Sequence, residues 1–507
     1  MIMIRALSAA LLLAAPAAAV AQQQAAPTAP VPAPTQLEVA ALEPQLTGYF
    51  DGWMRNAHVP GLVYGVVKDG KLVLVRGLGV QDVTTKQPVT PDSLFRIASM
   101  SKAFTALAIL KLRDEDRLSL DAPAERYVPE MRGWKYPSAD SRRIRVEDLL
   151  HHTAGFVEDN PWGDRQQPLS EAAFTALLKA GVPLAQAPGL KMEYSNLGYA
   201  LLGRIISNVS GQRYQDYIRT NIMAPLGMES TGYDVLNGPQ DKRALGYRWQ
   251  DDAWVREPDM ADGTFGAMGG VQTSANDYWR WVSFLLSGWP ARDDPDQGPV
   301  KRATVREIVE GLNFVNTAER AGPSGKQCRV SSAYGMGWQV VNDCDVGRIV
   351  THSGGYPGYG SIVMMLPDAG VGVFAFANRT YAGPSLPVMQ ALYALRSAGL
   401  ADRTVPVSPD LARAYDIMRE VWRTGDPARA PLANNVVPDR DLARRRKDIA
   451  DLKKKVGACQ TDAAIAPISA MEGAFIWQCA NGKVAGRVQR APTPALSLQV
   501  LSFTAAP

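Results

Sequence analysis

The sequence predicts an α/β (α+β) domain, an antiparallel sheet flanked by helices, over about residues 37–400, with a small α+β unit over 401–507. Three observations carry that prediction. Strand-like apolar runs stand at both ends of the first span, long helix-like segments lie between them, and a Pro-rich polar stretch sets off the remainder. Strands at both ends with helices between imply terminal segments that share one sheet.

Composition supports folding and narrows the partners. The 507 residues are 46% hydrophobic and 21% charged, enough apolar side chain for a sizeable core and too much for a disordered polymer. Lys+Arg number 54 against 50 Asp+Glu, a net charge of +4, so no nucleic acid partner is expected. The four histidines and four cysteines are far apart and lack zinc-site spacing, so neither a metal nor a cofactor is expected.

The elements follow in chain order. Arg5, the short apolar run Ala6–Ala15 and the small residues Ala19-Val20-Ala21 form a secretory signal peptide over 1–21, with cleavage near Ala21 and a periplasmic or secreted product. The run is too short for a spanning helix, so no stable membrane insertion is expected. Residues 22–36, QQQAAPTAPVPAPTQ, read as a disordered linker. From Leu62 two β-branched runs flank Lys68-Asp69-Gly70, a hairpin signal. Ser99–Leu112 reads as a buried helix, with further helices near Ser170–Ala180, Leu197–Val209, Asn276–Leu286 and Ser385–Arg396. RIVTHSGG and SIVMMLPDAGVGVFAFAN return to strands around a Pro-Asp-Ala-Gly turn.

Beyond them, Thr404–Pro438 is Pro-rich and polar. Asp439–Val456 places Leu442, Ile449, Leu452 and Val456 on one helical face, and its Arg444–Lys447 cluster reads as a solvated face. A hairpin at Asn481-Gly482 followed by LSLQVLSF gives a helix plus a three-stranded sheet. In an oxidising compartment the simplest connectivity pairs Cys328 with Cys344 and Cys459 with Cys479, the alternative being four free thiols.

Chemistry is concentrated in three short segments. Ser99-x-x-Lys102 puts a hydroxyl and an ammonium on one helix face, near the positive end of the helix. A desolvated Lys of lowered pKa can take the proton of an otherwise inert serine, although Ser99 could equally be a plain N-cap. Tyr194-Ser195-Asn196 precedes an apolar helix, where a phenol and an amide either face a cleft or pack and cap. His352-Ser353-Gly354, followed by Gly355, ends a strand-like run with residues small enough for a substrate backbone to approach.

Taken together, in this order and spacing, the three segments resemble the motifs of the serine β-lactamase and penicillin-binding protein superfamily. The stretches VPGLVYGVVKDGK, SLFRIASMSKAFTALAILKL, DLLHHTAG, EYSNLGYALLG, MGGVQTSANDYWRW and HSGGYPGYGSIVMMLPD are similar to its class C β-lactamase, D,D-peptidase and family VIII esterase branch. The resemblance covers about 37–400. It implies a serine β-lactamase-like fold with an all-helical subdomain, Ser99 as acylated nucleophile, Lys102 as its hydrogen-bonded partner and Tyr194 as proton shuttle. It further implies that Asn196 orients the substrate carbonyl and that the backbone N–H groups of Ser99 and Gly355 form the oxyanion hole. Ser101 is read as packing or capping, and His151 and His152 as structural.

One departure bears on substrate. His352-Ser353-Gly354 stands where class C β-lactamases usually carry Lys-Thr-Gly, and a His is a weaker carboxylate anchor at neutral pH. The resemblance therefore implies an exported serine hydrolase that forms an acyl-enzyme on a small peptide, ester or amide. A peptidase on D-amino-acid or unusual linear peptides ranks ahead of a carboxylesterase and then a β-lactamase. The contrasting reading is a non-catalytic peptidoglycan- or peptide-binding module.

Overall fold

The computed structural model describes residues 37–506 apart from 293, 312, 323–324, 326 and 402–406. The expected signal segment and linker lie outside the described residues. Ala33–Thr404 and Val405–Pro507 belong to separate compact units.

In the first unit eight strands form one antiparallel sheet. They are β1 (Gly61–Lys68), β2 (Lys71–Gly79), β3 (Asn313–Ala321), β4 (Gln327–Tyr334), β5 (Gln339–Asp343), β6 (Gly347–Tyr356), β7 (Tyr359–Leu366) and β8 (Val371–Ala377). The spatial order is β2-β1-β8-β7-β6-β5-β4-β3. β1 and β8, far apart in sequence, pair from Leu62↔Ala377 to Lys68↔Val371, so the two ends of the unit close one sheet as expected. The hairpin read at Lys68-Asp69-Gly70 joins β1 to β2.

Both faces of this sheet are covered, which is why β1, β7 and β8 read as continuous apolar runs rather than alternating ones. Leu62, Tyr64 and Val66 pack on one side with Phe50 of helix α1 (Leu37–Asn56). Val63, Val67, Phe374 and Phe376 face the other side and a larger core built on helix α2 (Lys102–Asp114). That core also takes in α4 (Glu171–Ala180), α5 (Asn196–Ser210) and α6 (Ala275–Leu286), while α7 (Ser385–Ser397) lies with α1. A six-residue helix, α3 (Asn160–Arg165), precedes α4. The helices expected from sequence in this unit are all present, with each end within three residues of its expected place.

β3 and β4, which no element of the sequence reading covers, pair with each other at the edge of the sheet. β3 is exposed along most of its length and β4 is largely half-buried, so neither carries an alternating apolar pattern by which to find it.

The second unit corrects the expectation of one helix and three strands. Its sheet has four strands in chain order, β9 (Ala466–Ser469), β10 (Glu472–Cys479), β11 (Gly482–Arg490) and β12 (Leu498–Ala506). Helix α9 (Leu442–Val456) is as expected, but α8 (Pro409–Thr424) occupies the stretch read as Pro-rich and polar. Average composition concealed its period: Leu411, Ala414, Tyr415, Met418, Val421 and Trp422 fall on one buried face, between the Ser408 N-cap and a left-handed Gly425. That face packs on Trp477, whose Nε1–H donates to Tyr415 Oη at 2.8 Å. The Arg444–Lys447 cluster is solvated, with Arg446 paired to Asp426 and Lys447 to Asp451.

Cys328 is bonded to Cys344 and Cys459 to Cys479, the pairing read from the sequence. Among the described residues no helix is long and apolar enough to cross a membrane. The Cys459–Cys479 bridge closes a loop with a sequence separation of 20, for which chain entropy gives about 3 kcal/mol of stabilisation. The double variant Cys459→Ser/Cys479→Ser should lower the denaturation midpoint of the second unit by a corresponding amount, read from its tryptophan fluorescence in the full chain.

Candidate active site

The nucleophile candidate sits on a backbone turn held from both sides. The short strand Phe95–Arg96 pairs with Gln272–Thr273, and Ile97 N–H donates to Val271 O at 3.0 Å. Ala98 then takes φ +49°, a left-handed conformation costly for a residue with a Cβ, and the chain turns through a 3-10 segment, Ala98–Ser101, into α2. Ser99 is 8% exposed at this turn. It does not cap α2. Ser101 Oγ accepts from Val271 N–H at 3.0 Å, so that serine ties the turn to its neighbour.

Lys102, one turn on, is completely buried. Its Nζ lies 3.1 Å from Ser99 Oγ, 2.7 Å from Asn196 Oδ1 and 2.9 Å from Met268 O. Burial lowers its pKa to about 7, against the opposing pull of Asp164 and Asp159. Asn196 is the first residue of α5 and is fixed there by Asp159, whose carboxylate accepts from Asn196 N–H at 2.6 Å and Leu197 N–H at 2.9 Å. Asn196 Nδ2 donates to Asn160 Oδ1 at 3.1 Å, so α3 and the residue before it bear directly on the lysine's partner.

Tyr194 lies within hydrogen-bonding reach of Ser99, and Lys102 Nζ sits 4.8 Å from its ring centroid. The tyrosine keeps part of its surface open to solvent, yet burial of the phenol raises its pKa well above the usual value. His152 packs against it at 4.3 Å between ring centroids, and Ser195 N–H donates to His152 Nδ1 at 3.1 Å. That bond fixes the neutral, Nε2-protonated tautomer, and burial together with Lys102 and the other two nearby histidines keeps the ring uncharged. His151 Nδ1–H donates to Gly335 O at 3.1 Å. Both histidines hold backbone around the site.

The third segment lies on β6. Gly354 is where the strand meets the nucleophile turn: a Cβ there would stand 2.2 Å from Ile97 O and 3.1 Å from Ala98 Cβ. Ser353 is exposed and Gly355 partly so. His352 is 5% exposed; its Nδ1–H donates to Ser353 O at 2.6 Å and its Nε2 accepts from Tyr334 Oη at 3.0 Å. Burial and the nearby Lys102 lower its pKa to about 3, so the ring is neutral throughout the physiological range.

All eight candidates therefore belong to one neighbourhood, with Lys102 at its centre. Sequence reasoning missed Met268 O, Asp159, Asp164 and Tyr381. Asp164, 3% exposed on α3, accepts from Tyr381 Oη at 2.8 Å. Tyr381 follows β8 at φ +54°, and its ring overlies Gly355, where a Cβ would come within 2.7 Å of Tyr381 Cδ1. The left-handed tyrosine is the only one of these features with a local signature, and it is invisible without backbone angles.

The Beta-lactamase family model matches residues 41–398. Protein flp of Staphylococcus aureus (strain N315) is 30% identical over 329 residues, 64% of this chain and 61% of that protein. The chain thus spans about three fifths of the length of the first curated relatives it matches. The octameric penicillin-binding protein homologue from Pyrococcus abyssi superimposes with TM-score 0.60 at 21% identity, over 91% of this chain and 99% of that one. D-alanine carboxypeptidase AmpC from Burkholderia cenocepacia gives 0.54 at 22%, over 71% and 99%. At these identities the structural likeness speaks to fold.

The buried, neutral His352 has a measurable consequence. Its imidazole nitrogens should keep the neutral, Nδ1-protonated NMR pattern down to about pH 4, whereas a solvated ring would titrate near 6.5. The unfolded chain takes up this proton below about 6.5 and the folded chain only near 3, so the contribution to stability is complete above 6.5 and is lost as pH falls through that window.

Proposed function

The chain belongs to the beta-lactamase family, and we propose that it is an exported serine hydrolase working through an acyl-enzyme, with small or unusual linear peptides as its substrates. The observation that carries the reading is the hydrogen-bond count at Lys102 Nζ. A neutral amine has two N–H groups and one lone pair. Asn196 Oδ1 and Met268 O take the two N–H groups at 2.7 and 2.9 Å, which leaves the lone pair for the hydroxyl of Ser99 at 3.1 Å. Burial that brings the amine's pKa to about 7 makes this neutral form abundant at working pH.

In the proposed reaction Ser99 Oγ attacks the substrate carbonyl as its proton passes to the Lys102–Tyr194 pair. The developing oxyanion is received by the backbone N–H groups of Ser99 and Gly355. The proton then moves to the leaving nitrogen or oxygen as the C–N or C–O bond breaks, Tyr194 being the donor nearest the open side. Water attacks the resulting ester of Ser99, the same pair accepts its proton, and Oγ regains a hydrogen as the acid departs. Lys102 and Tyr194 titrate together, so the pair rather than either group sets the pH dependence.

Asn196 and the open edge of β6 at Ser353 and Gly355 would hold the substrate amide. The neutral His352, with both nitrogens engaged by protein groups, offers no positive charge to a carboxylate beside the scissile bond. That weighs against strong β-lactamase activity. The two disulfides are in keeping with an oxidising compartment, which supports export.

Intact-protein mass spectrometry with a short-chain chromogenic ester, a D-alanyl dipeptide and a penicillin tests the reading. A transient acyl adduct and turnover should both vanish in Ser99→Ala, with kcat/KM falling on the order of 10³-fold or more, and the penicillin should be turned over slowest. Equal behaviour of wild type and variant with all three would overturn it. kcat/KM should rise with pH to a plateau above about 7, because the amine must lose its proton before it can accept one from Ser99. A profile flat from pH 5 to 9 would exclude Lys102 from the pair.

A further inference from the structure

Tyr194 delivers the leaving-group proton in the proposed reaction, yet part of its surface is open to solvent. His152 holds it from three directions. His152 O accepts from Glu193 N–H at 2.8 Å and His152 Nδ1 accepts from Ser195 N–H at 3.1 Å, so main-chain and ring atoms of one residue grip the positions on either side of the tyrosine. The imidazole itself lies along the phenol, with 4.3 Å between ring centroids and an interplanar angle of 35°.

His152 is itself firmly placed. It is 2% exposed and adopts φ +59°, a left-handed backbone that is costly for a residue with a Cβ and persists only where the surroundings impose it. The next residue supplies that constraint: Thr153 N–H donates to Asp148 O at 2.8 Å, Thr153 Oγ1 donates to Asp148 Oδ1 at 3.0 Å, and Thr153 O accepts from Gly189 N–H at 2.8 Å. Asp148 is in turn paired with both terminal nitrogens of Arg142, at 2.5 and 2.7 Å. The imidazole also packs on the rings of Tyr199 and Tyr334, at 5.1 and 4.7 Å between centroids. Its Nε2 is buried and has no hydrogen-bond partner among the described residues. A ring that leaves one polar atom unmet in order to stay here is held for its shape and its Nδ1 acceptor, not for a charge.

We infer that His152 is a positioning residue for the departure of the leaving group, keeping the Tyr194 phenol aimed at the atom that leaves. This rests on the reading of Tyr194 as proton donor given above. As the C–N bond of an amide breaks, its electron pair stays on nitrogen, which is too basic to depart as an anion and takes the hydrogen of Tyr194 Oη. The proton drawn from Ser99 and held on Lys102 then restores the phenol. A p-nitrophenyl ester breaks its C–O bond with the electron pair on an already stable phenolate and needs no such delivery. A donor must lie within hydrogen-bond reach of the atom at the moment of cleavage, and a displacement of about 1 Å costs on the order of 10²-fold. Loss of the His152 grip therefore falls on amides more than on activated esters, whereas a residue that only supported the fold would lower both alike.

The experiment measures kcat/KM, which covers acylation alone, for D-alanine p-nitroanilide and D-alanine p-nitrophenyl ester in the full chain. The enzymes are wild type, Ser99→Ala, Tyr194→Phe, His152→Ala, His152→Asn and the double variant Tyr194→Phe/His152→Asn, with a thermal melt for each. His152→Ala should lower the anilide-to-ester ratio about tenfold or more. His152→Asn, whose Oδ1 can accept from Ser195 N–H and whose backbone tolerates the left-handed conformation, should lower it less. With the donor removed in Tyr194→Phe, His152→Asn should leave the ratio unchanged. A folded His152→Ala enzyme in which both substrates fall by one factor would overturn the inference, and His152→Asn decides in its place where the alanine variant does not fold. So would a drop in the ratio on His152→Asn that is as large without the Tyr194 hydroxyl as with it. A lowered ratio in Tyr194→Phe that the His152 variants do not share refutes this inference alone. A wild-type ratio in Tyr194→Phe, or absence of Ser99-dependent turnover of both compounds, refutes the underlying reading with it.

Discussion

Placing a lysine ammonium in a dry interior, and giving it three acceptors there, is the constraint around which the first unit is organised. Lys102 comes from α2, Asn196 from the start of α5, Met268 O from a separate helical turn and Ser99 from the strained segment before α2. Each partner needs its own support: Asp159 for α5, Val271 for the nucleophile turn, and Gly354 for the approach of β6. Removing any one would leave a buried amine with an unmet hydrogen bond, and the cost of that rises as the dielectric falls. The left-handed Ala98 is held in place because the segments on both sides of it are fixed by other contacts.

The electrostatics follow from the same burial. Low dielectric shifts Lys102 down, Tyr194 up and both His152 and His352 down, so every titratable group beside Ser99 moves towards its neutral form. Asp164 is shifted up to about 6 for the same reason, although Tyr381 and Lys102 pull it back.

Much of this was legible in the chain because it is local or periodic. Ser99-x-x-Lys102 is a one-turn spacing that any helix would bring together, and the apolar runs of β1, β7 and β8 announce a sheet covered on both faces. Tyr194-Ser195-Asn196 and His352-Ser353-Gly354 carried meaning only through resemblance, since nothing in their spacing says that Asn196 reaches Lys102. Asp164 and Tyr381 meet over a separation of 217 residues and could not be paired from sequence. Helix α8 was missed where Pro and polar residues dominated the average, although its buried positions keep a helical period. The exposed β3 and the half-buried β4 left no alternating pattern to read.

The most direct measurement is the protonation of the lysine itself. Titration of the protein with 13Cε-labelled lysine, the Lys102 resonance assigned by its loss in Lys102→Met, reads the amine without reference to any substrate. An inflection near pH 7, separated from the surface lysines at about 10.4, is the result expected of a buried amine whose neutral form holds Asn196 and Met268 and faces Ser99. A Lys102 signal that titrates with the surface lysines, at 10 or above, would contradict the proton-transfer role assigned to it and with it the organisation of the site.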